Sequence, residues 1–283
     1  MRVANVSGRL GLVTGPGRVL DLELASEGRF ASDVQSVYER WNELVEFAAG
    51  LGEDPPGSVE ATPETFGNPV PAPRQVFAIG LNYADHADES SFSVPDEPPV
   101  FTKFTTSLTG PYGEITLPQG NVDWEVELVA VIGQRGHRVA AEDAWSYVAG
   151  VTVGQDISER VLQRMGPAPQ FSLGKSYPGF GPIGPVLVTP DELPDRDNLE
   201  LGCLINGEQM QKGQTSDMVF PVPELIARLS AVTPLLPGDV IFTGTPAGVG
   251  LGRTPQRYLA PGDELVSYVR GVGEMRHHLV AGS

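Results

Sequence analysis

The chain has 283 residues, 40% hydrophobic and 19% charged, a balance that excludes intrinsic disorder and is long enough to bury one large core or two smaller ones. Its 36 acidic residues outnumber its 19 basic ones, which sets it against nucleic acid and anionic membranes as partners. The single cysteine, Cys203, excludes a disulfide framework and any multi-cysteine zinc site. No apolar run reaches the ~18 residues of a membrane-spanning helix, and the first residues lack the apolar core of a signal peptide, so a cytoplasmic protein is expected.

Residues 1–70 read as a small N-terminal α/β unit. Val3 to Val6, Leu10 to Val13 and Val19 to Leu24 have the texture of short strands separated by Gly-rich turns. From Ala31 to Ala49, Val34, Val37, Trp41, Leu44, Val45 and Ala48 recur at spacings of three and four and predict one amphipathic helix, with Gly50 as its stop. Residues 51–73 hold six prolines and no period, the composition of an extended linker. From residue 71 to 283 short apolar runs alternate with Gly/Pro turns: Val76–Ile79, Trp124–Ile132, Val148–Val153, Pro185–Val188, Leu201–Ile205, Val240–Phe242 and Leu265–Val269. Helices are few, over Glu142–Tyr147, Ser158–Met165 and Val222–Ser230. This is a β-rich α+β pattern, not an alternating βαβ array.

Two familiar motifs fail. Gly174-Lys175-Ser176 lacks the first glycine of a phosphate-binding loop, because Pro169 stands there. Gly179-Phe-Gly181-Pro-Ile-Gly184 runs into Pro185 and a strand, not the helix a dinucleotide site requires. Cys203 lies in an apolar strand and reads as a buried, inert thiol. His137, His277 and His278 read as surface residues.

Trp124 to Ile132 is the informative stretch. On a strand, Glu125 and Glu127 share one face, roughly 7 Å apart at Cα. Two carboxylates on an apolar strand need water, a proton or a cation. The alternatives are an exposed polar edge and a hard divalent-cation site. Asp156, ending the next apolar strand, adds a third carboxylate, and an all-oxygen set suits Mg²⁺ or Mn²⁺ better than zinc. With only three lysines in the chain, Lys103, Lys175 and Lys212, each is informative.

Several segments in order resemble the fumarylacetoacetate hydrolase family. They are Gly80-Leu81-Asn82-Tyr83-Ala84-Asp85-His86, Phe101-Thr102-Lys103, Glu125-Val126-Glu127-Leu128, Gln155-Asp156-Ile157-Ser158-Glu159-Arg160 with Gln163, and Gly174-Lys175-Ser176. Ile183-Gly184-Pro185, Asn206-Gly207-Glu208, Pro237-Gly238-Asp239-Val240-Ile241 and Thr243-Gly244-Thr245-Pro246-Ala247-Gly248-Val249-Gly250 complete the series. The resemblance spans residues 74–275. It implies the family's mixed β-sandwich roll, a homodimer, Mg²⁺ or Mn²⁺ on Glu125, Glu127 and Asp156, and a small 2-oxo acid as substrate. It also implies a His86–Glu89 dyad that activates water, Lys103, Lys175 and Gln163 as stabilisers of an oxyanion, and Tyr83, Arg160 and Thr245 as substrate contacts. Residues 90–99 are expected to form a loop able to act as a lid. Two departures flank the substrate positions: Val161 follows Arg160 where the family often has aspartate, and Lys175-Ser-Tyr-Pro-Gly-Phe180 replaces the common Lys-Ser-Phe-Asp-Thr-Phe. The expected reaction is hydrolysis of a C–C bond in an acylpyruvate or 2,4-dioxo acid. The alternatives are oxaloacetate decarboxylation or isomerisation of a 2-hydroxy-diene dioate at the same metal, and, more remotely, a non-catalytic metal-stabilised binding protein.

Overall fold

The structure, a computed structural model, describes residues 1–52, 55–85 and 96–282. His86, Glu89 and most of the expected 90–99 loop lie outside the described residues.

A large mixed sheet forms the spine. Across it run Val59–Glu60, Arg18–Asp21, Arg9–Gly15, Arg2–Val6, Gly181–Val188, Val148–Gln155, Val126–Ile132, Val240–Phe242, Val76–Ile79 and Val100–Thr102. A five-stranded sheet, in the order Glu208–Gln214, Glu200–Ile205, Glu264–Val269, Gly273–Ala281 and Tyr112–Leu117, shares a core with it. This is the β-rich α+β roll that the sequence predicts.

Every residue of Val126–Ile132 is buried. Val126, Leu128, Ala130 and Ile132 enter the core between the two sheets. Val129 and Val131 enter a second core with Tyr38, Trp41 and Leu44. A strand covered on both faces reads as a continuous apolar run, and that is why its sequence shows no alternation. Glu125 and Glu127 share the parity of Val129 and Val131, and so the face of the second core.

The helix expected over Ala31–Ala49 is split. Gln35–Arg40 is a 3₁₀ turn, and the α-helix covers Trp41–Ala49. Arg40, at φ −126° and ψ 27°, interrupts the helical path. The split lets Tyr38 and Trp41 stack at 5.4 Å with rings 9° apart. The stretch read as a linker also does more than span distance. Val59–Glu60 pairs with Arg18–Val19, and Phe66–Gly67 pairs with Asn5–Val6. Arg2–Ala4 is hydrogen-bonded to Val186–Val188, so the N-terminal strands continue the sheet of the larger unit.

The helix expected from Ser158 starts at Arg160. Ser158 and Glu159 pair instead with Asp123 and Val122, and the Glu159 carboxylate accepts hydrogen bonds from the Val161 and Leu162 amides, an N-terminal cap. His277 corrects the surface reading. In Gly273–Ala281 the parity of two turns His278 outward and His277 inward, where it is 1% exposed. One His277 ring nitrogen, Nε2, lies 3.0 Å from the Gly110 carbonyl. Burial pushes its pKa down to about 4. Cys203 is buried, and burial raises its thiol pKa, in keeping with an inert role.

Candidate metal centre and adjoining cavity

At the start of Val126–Ile132, Glu125, Glu127 and Asp156 each offer a carboxylate oxygen, and the three oxygens lie within 4.8 Å of one another. All three residues are buried, Glu125 at 6%, Glu127 at 1% and Asp156 at 0% exposure. The exposed-edge alternative therefore fails. Pairing explains the convergence: Glu127 faces Gly154 across the ladder, and the Asp156 amide donates to the Glu125 carbonyl at 2.9 Å.

Two glutamines secure the strand entrance. The Glu125 amide donates to Gln155 Oε1 at 2.8 Å, and the Val126 amide donates to Gln211 Oε1 at 2.9 Å. Glu127 Oε2 accepts from the Gly244 amide at 2.7 Å. Gly244 has φ +98°, and a Cβ there would lie 2.6 Å from Asn82 Cβ, so only glycine brings this amide to Glu127. Burial, with Asp156 and Glu125 close by, raises the Glu127 pKa well above the carboxylate range.

The expected lysines arrive at the cluster. Lys175 Nζ donates to Glu125 Oε2, Asp156 Oδ2 and Ser158 Oγ, each at 2.7 Å. An ammonium has three N–H groups, so all of them are engaged. Lys103 Nζ donates to Asp156 Oδ1 at 2.6 Å and to the Lys175 carbonyl. Burial pulls both lysines toward neutrality. For Lys175, Asp156 and Glu125 outweigh it and raise the pKa, whereas Lys103, also repelled by Lys175, is lowered. Lys175 reaches the cluster because the short helix Phe171–Gly174 packs close on Arg160–Gln163. A Cβ on Gly174 would lie 2.6 Å from the Gln163 nitrogen.

Arg160 Nη2 lies 2.8 Å from Glu125 Oε1 and 2.8 Å from Asp123 Oδ2. Its Nη1 donates to Gln163 Oε1 at 3.0 Å, which leaves the amide nitrogen of Gln163 as that side chain's donor. Thr245 lines the adjoining cavity, and its hydroxyl donates to the Val126 carbonyl at 2.8 Å and accepts from Gln211 Nε2 at 2.8 Å. Tyr83 is 3% exposed, and its buried hydroxyl has no hydrogen-bond partner among the described residues.

Sequence reasoning missed Asp123. Its carboxylate is fully buried and accepts from the Trp124, Gly250 and Leu251 amides at 2.8, 2.7 and 2.9 Å, and from Arg160 Nε at 2.9 Å. An acidic residue two before Glu125 was the only local signal.

The donor set fits a divalent ion. It is all carboxylate oxygen, as hard cations prefer, and the charges agree. Four buried carboxylates, Asp123, Glu125, Glu127 and Asp156, face three cations, Lys103, Arg160 and Lys175. When all are ionised the cluster carries one net negative charge. A divalent ion would turn it to one net positive charge, suited to an anionic substrate. A cavity of about 450 Å³ opens onto the cluster at Glu125, Arg160, Gln163, Lys175 and Thr245.

Known proteins match this chain along most of its length. The model of the fumarylacetoacetate (FAA) hydrolase C-terminal domain matches residues 75–280. A Mycobacterium smegmatis protein assigned as HpcE has a crystal structure that superposes with a TM-score of 0.94 at 56% identity, over 100% of both chains. Human mitochondrial oxaloacetate tautomerase FAHD2A is 45% identical over 218 residues, 76% of this chain and 69% of that protein. Maleylpyruvate hydrolase from Sphingobium sp. SYK-6, solved with manganese(II) and pyruvate, has a TM-score of 0.79 at 29% identity, over 100% of both chains.

Proposed function

The chain belongs to the fumarylacetoacetate hydrolase family of enzymes, and we propose that it is a Mg²⁺- or Mn²⁺-dependent hydrolase that cleaves the C–C bond of an acylpyruvate. The observation that carries this reading is the buried carboxylate triad opening onto a cavity of about 450 Å³. That is the size of a pocket for a whole small-molecule ligand, and more than a four-carbon acid fills.

Glu125, Glu127 and Asp156 would hold the ion. When bound, it supplies Lewis acidity to a 2-oxo acid. Lys103 pairs with Asp156 and Arg160 with Glu125, which fixes both carboxylates in place. Lys175, held by Glu125, Asp156 and Ser158 at the cavity wall, adds positive potential where negative charge develops on the substrate, and the Gln163 amide nitrogen donates to a substrate oxygen. His86, oriented by Glu89, is assigned as the base that takes a proton from water. Hydroxide adds to the distal carbonyl carbon and the C–C bond breaks. Its electron pair passes to the pyruvate fragment as an enolate, which then takes up a proton. One acyl acid and one pyruvate result, and a homodimer is the form in which we expect the enzyme to act.

A second reading is favoured by the 45% identity to oxaloacetate tautomerase FAHD2A. Tautomerisation, like decarboxylation or diene isomerisation, uses the enolate without water. The test is a panel of acylpyruvates and oxaloacetate with saturating Mg²⁺ or Mn²⁺, run on wild type, His86→Ala and Glu89→Ala. Hydrolysis predicts acylpyruvate cleavage in wild type and a loss of at least ~10²-fold in both variants, with a smaller loss for oxaloacetate. Brisk tautomerisation without cleavage in wild type replaces the first reading by the second.

A further inference from the structure

The cavity is lined by two kinds of group. One is the set of charged and polar side chains of the cluster. The other is an apolar wall of Ile79, Leu81, Pro99, Phe101, Phe171 and Leu251. Phe101 and Phe171 meet edge to face, with centroids 5.6 Å apart at 68°. The two meet at Phe101, whose ring centre lies 5.1 Å from Lys175 Nζ. Leu81 holds φ +53°, a backbone state that residues of its shape seldom adopt. Its neighbour Asn82 fixes it there, through Nδ2 bonds to the Phe220 and Thr243 carbonyls at 3.0 and 2.7 Å and an Oδ1 bond from the Phe220 amide at 2.7 Å. The fold thus maintains an unfavourable turn at the residue that lines the apolar wall.

We propose that the site selects 2-oxo acids whose far end is apolar, an aromatic or branched aliphatic acyl group, over those that end in a second carboxylate, with Phe101 and Phe171 as the residues that set this choice. The inference rests on the acylpyruvate reading and narrows it. A far carboxylate laid against this wall loses its water and meets no partner among the described residues there. Among the described residues the remaining cation lining the cavity is Arg164, which is exposed. An ion pair made in water at the lip adds little, whereas a well-filled apolar pocket discriminates roughly 10–200-fold per methylene-sized difference.

The test has a kinetic and a binding arm on the Mn²⁺-loaded protein. In the kinetic arm, benzoylpyruvate, acetopyruvate and fumarylpyruvate are compared as substrates. In the binding arm, phenylpyruvate and 2-oxoglutarate are titrated calorimetrically. The expected result is at least ~10-fold higher kcat/KM for the benzoyl compound than for the dioic acid, and the same order in Kd. Phe171→Ala should erase most of that ratio, by lowering kcat/KM for the benzoyl compound more than for the dioic acid. Leu81→Asn, which suits the same backbone state, should lower the ratio in the same direction. A dioic acid preferred in either arm overturns the proposal, and loss of that preference in Arg164→Gln would identify the competing subsite. A Phe171→Ala ratio equal to wild type overturns the assignment of the selecting residue. Absence of turnover with an intact binding preference would sink the hydrolase reading and leave this one standing; equal binding would sink this one alone.

Discussion

Asp123 and Glu127 are both buried carboxylates, four residues apart, yet their surroundings differ in kind. Asp123 is saturated by three backbone amides and the Arg160 guanidinium. Among the described residues Glu127 has one amide, from Gly244, and two like charges beside it, Asp156 and Glu125. A saturated buried anion ties the structure together and leaves nothing for a ligand. An undersupplied one raises its proton affinity and presents oxygen to a cation. The contrast separates a positioning carboxylate from a ligating one where composition and burial alone would not.

Exchanging the two carboxylates for neutral groups sharpens the contrast most. Glu127→Ala should abolish activity and Mn²⁺ binding by calorimetry, yet leave folding stability near or above wild type, since an undersupplied charge is removed. Asp123→Asn should do the reverse in stability. It leaves the Arg160 guanidinium short of a partner in the interior, at a cost of about 3–5 kcal/mol in denaturant unfolding, while Mn²⁺ still binds the folded fraction. If both variants lose stability alike, or both lose metal alike, the distinction collapses.

Lys175→Met lies between them. Its ammonium touches two of the three carboxylates, and its loss removes positive charge from the cavity without removing a ligand. Turnover should fall ~10²–10³-fold, with Mn²⁺ affinity unchanged or higher. Weaker Mn²⁺ binding would show that Lys175 builds the ligand geometry rather than stabilising charge on the substrate.

The smallest expected effect is a pH dependence far from the cluster. His277 is neutral in the fold down to about pH 4, against 6.5 when unfolded. Between those values the unfolded chain binds the extra proton. This contribution is therefore complete above about pH 6.5 and is lost as the pH falls toward 4, by up to about 3 kcal/mol. Comparing wild type and His277→Asn unfolding from pH 7 to 5 isolates it, and parallel curves would refute it.

The legibility of these groups follows from how local their partners are. Glu125 and Glu127 stood out because a period of two puts them on one face of an apolar run. Lys103 and Lys175 stood out because lysine is rare in this chain. Asp123 did not, because the Gly250 and Leu251 amides that define its role lie 127 and 128 residues away. The same distance problem hid the pairing of Val59–Glu60 and Phe66–Gly67, because the six prolines of residues 51–73 suggested an extended linker. The split of the Ala31–Ala49 helix was hidden differently: Val34, Val37 and Trp41 satisfy a helical spacing whether the turn between them is α or 3₁₀. His277 was misread because the strand parity that buries it depends on its two flanking strands.

The order of strands in the large sheet also constrains how the protein is made. Val240–Phe242 lies between Val126–Ile132 and Val76–Ile79, and the Gly244 amide that binds Glu127 follows directly after it. During synthesis, a ribosome that has exposed residues 1–200 has released all three carboxylates but neither the strand that closes the sheet nor the amide that steadies Glu127. Such a nascent chain holds a gap between two strands and a Glu127 that lacks its amide donor, and long-range closure of this kind is slow. The centre is completed only when the last quarter of the chain emerges, which makes the late-arriving Thr243-Gly244-Thr245 segment the step that commits the polypeptide to a working site.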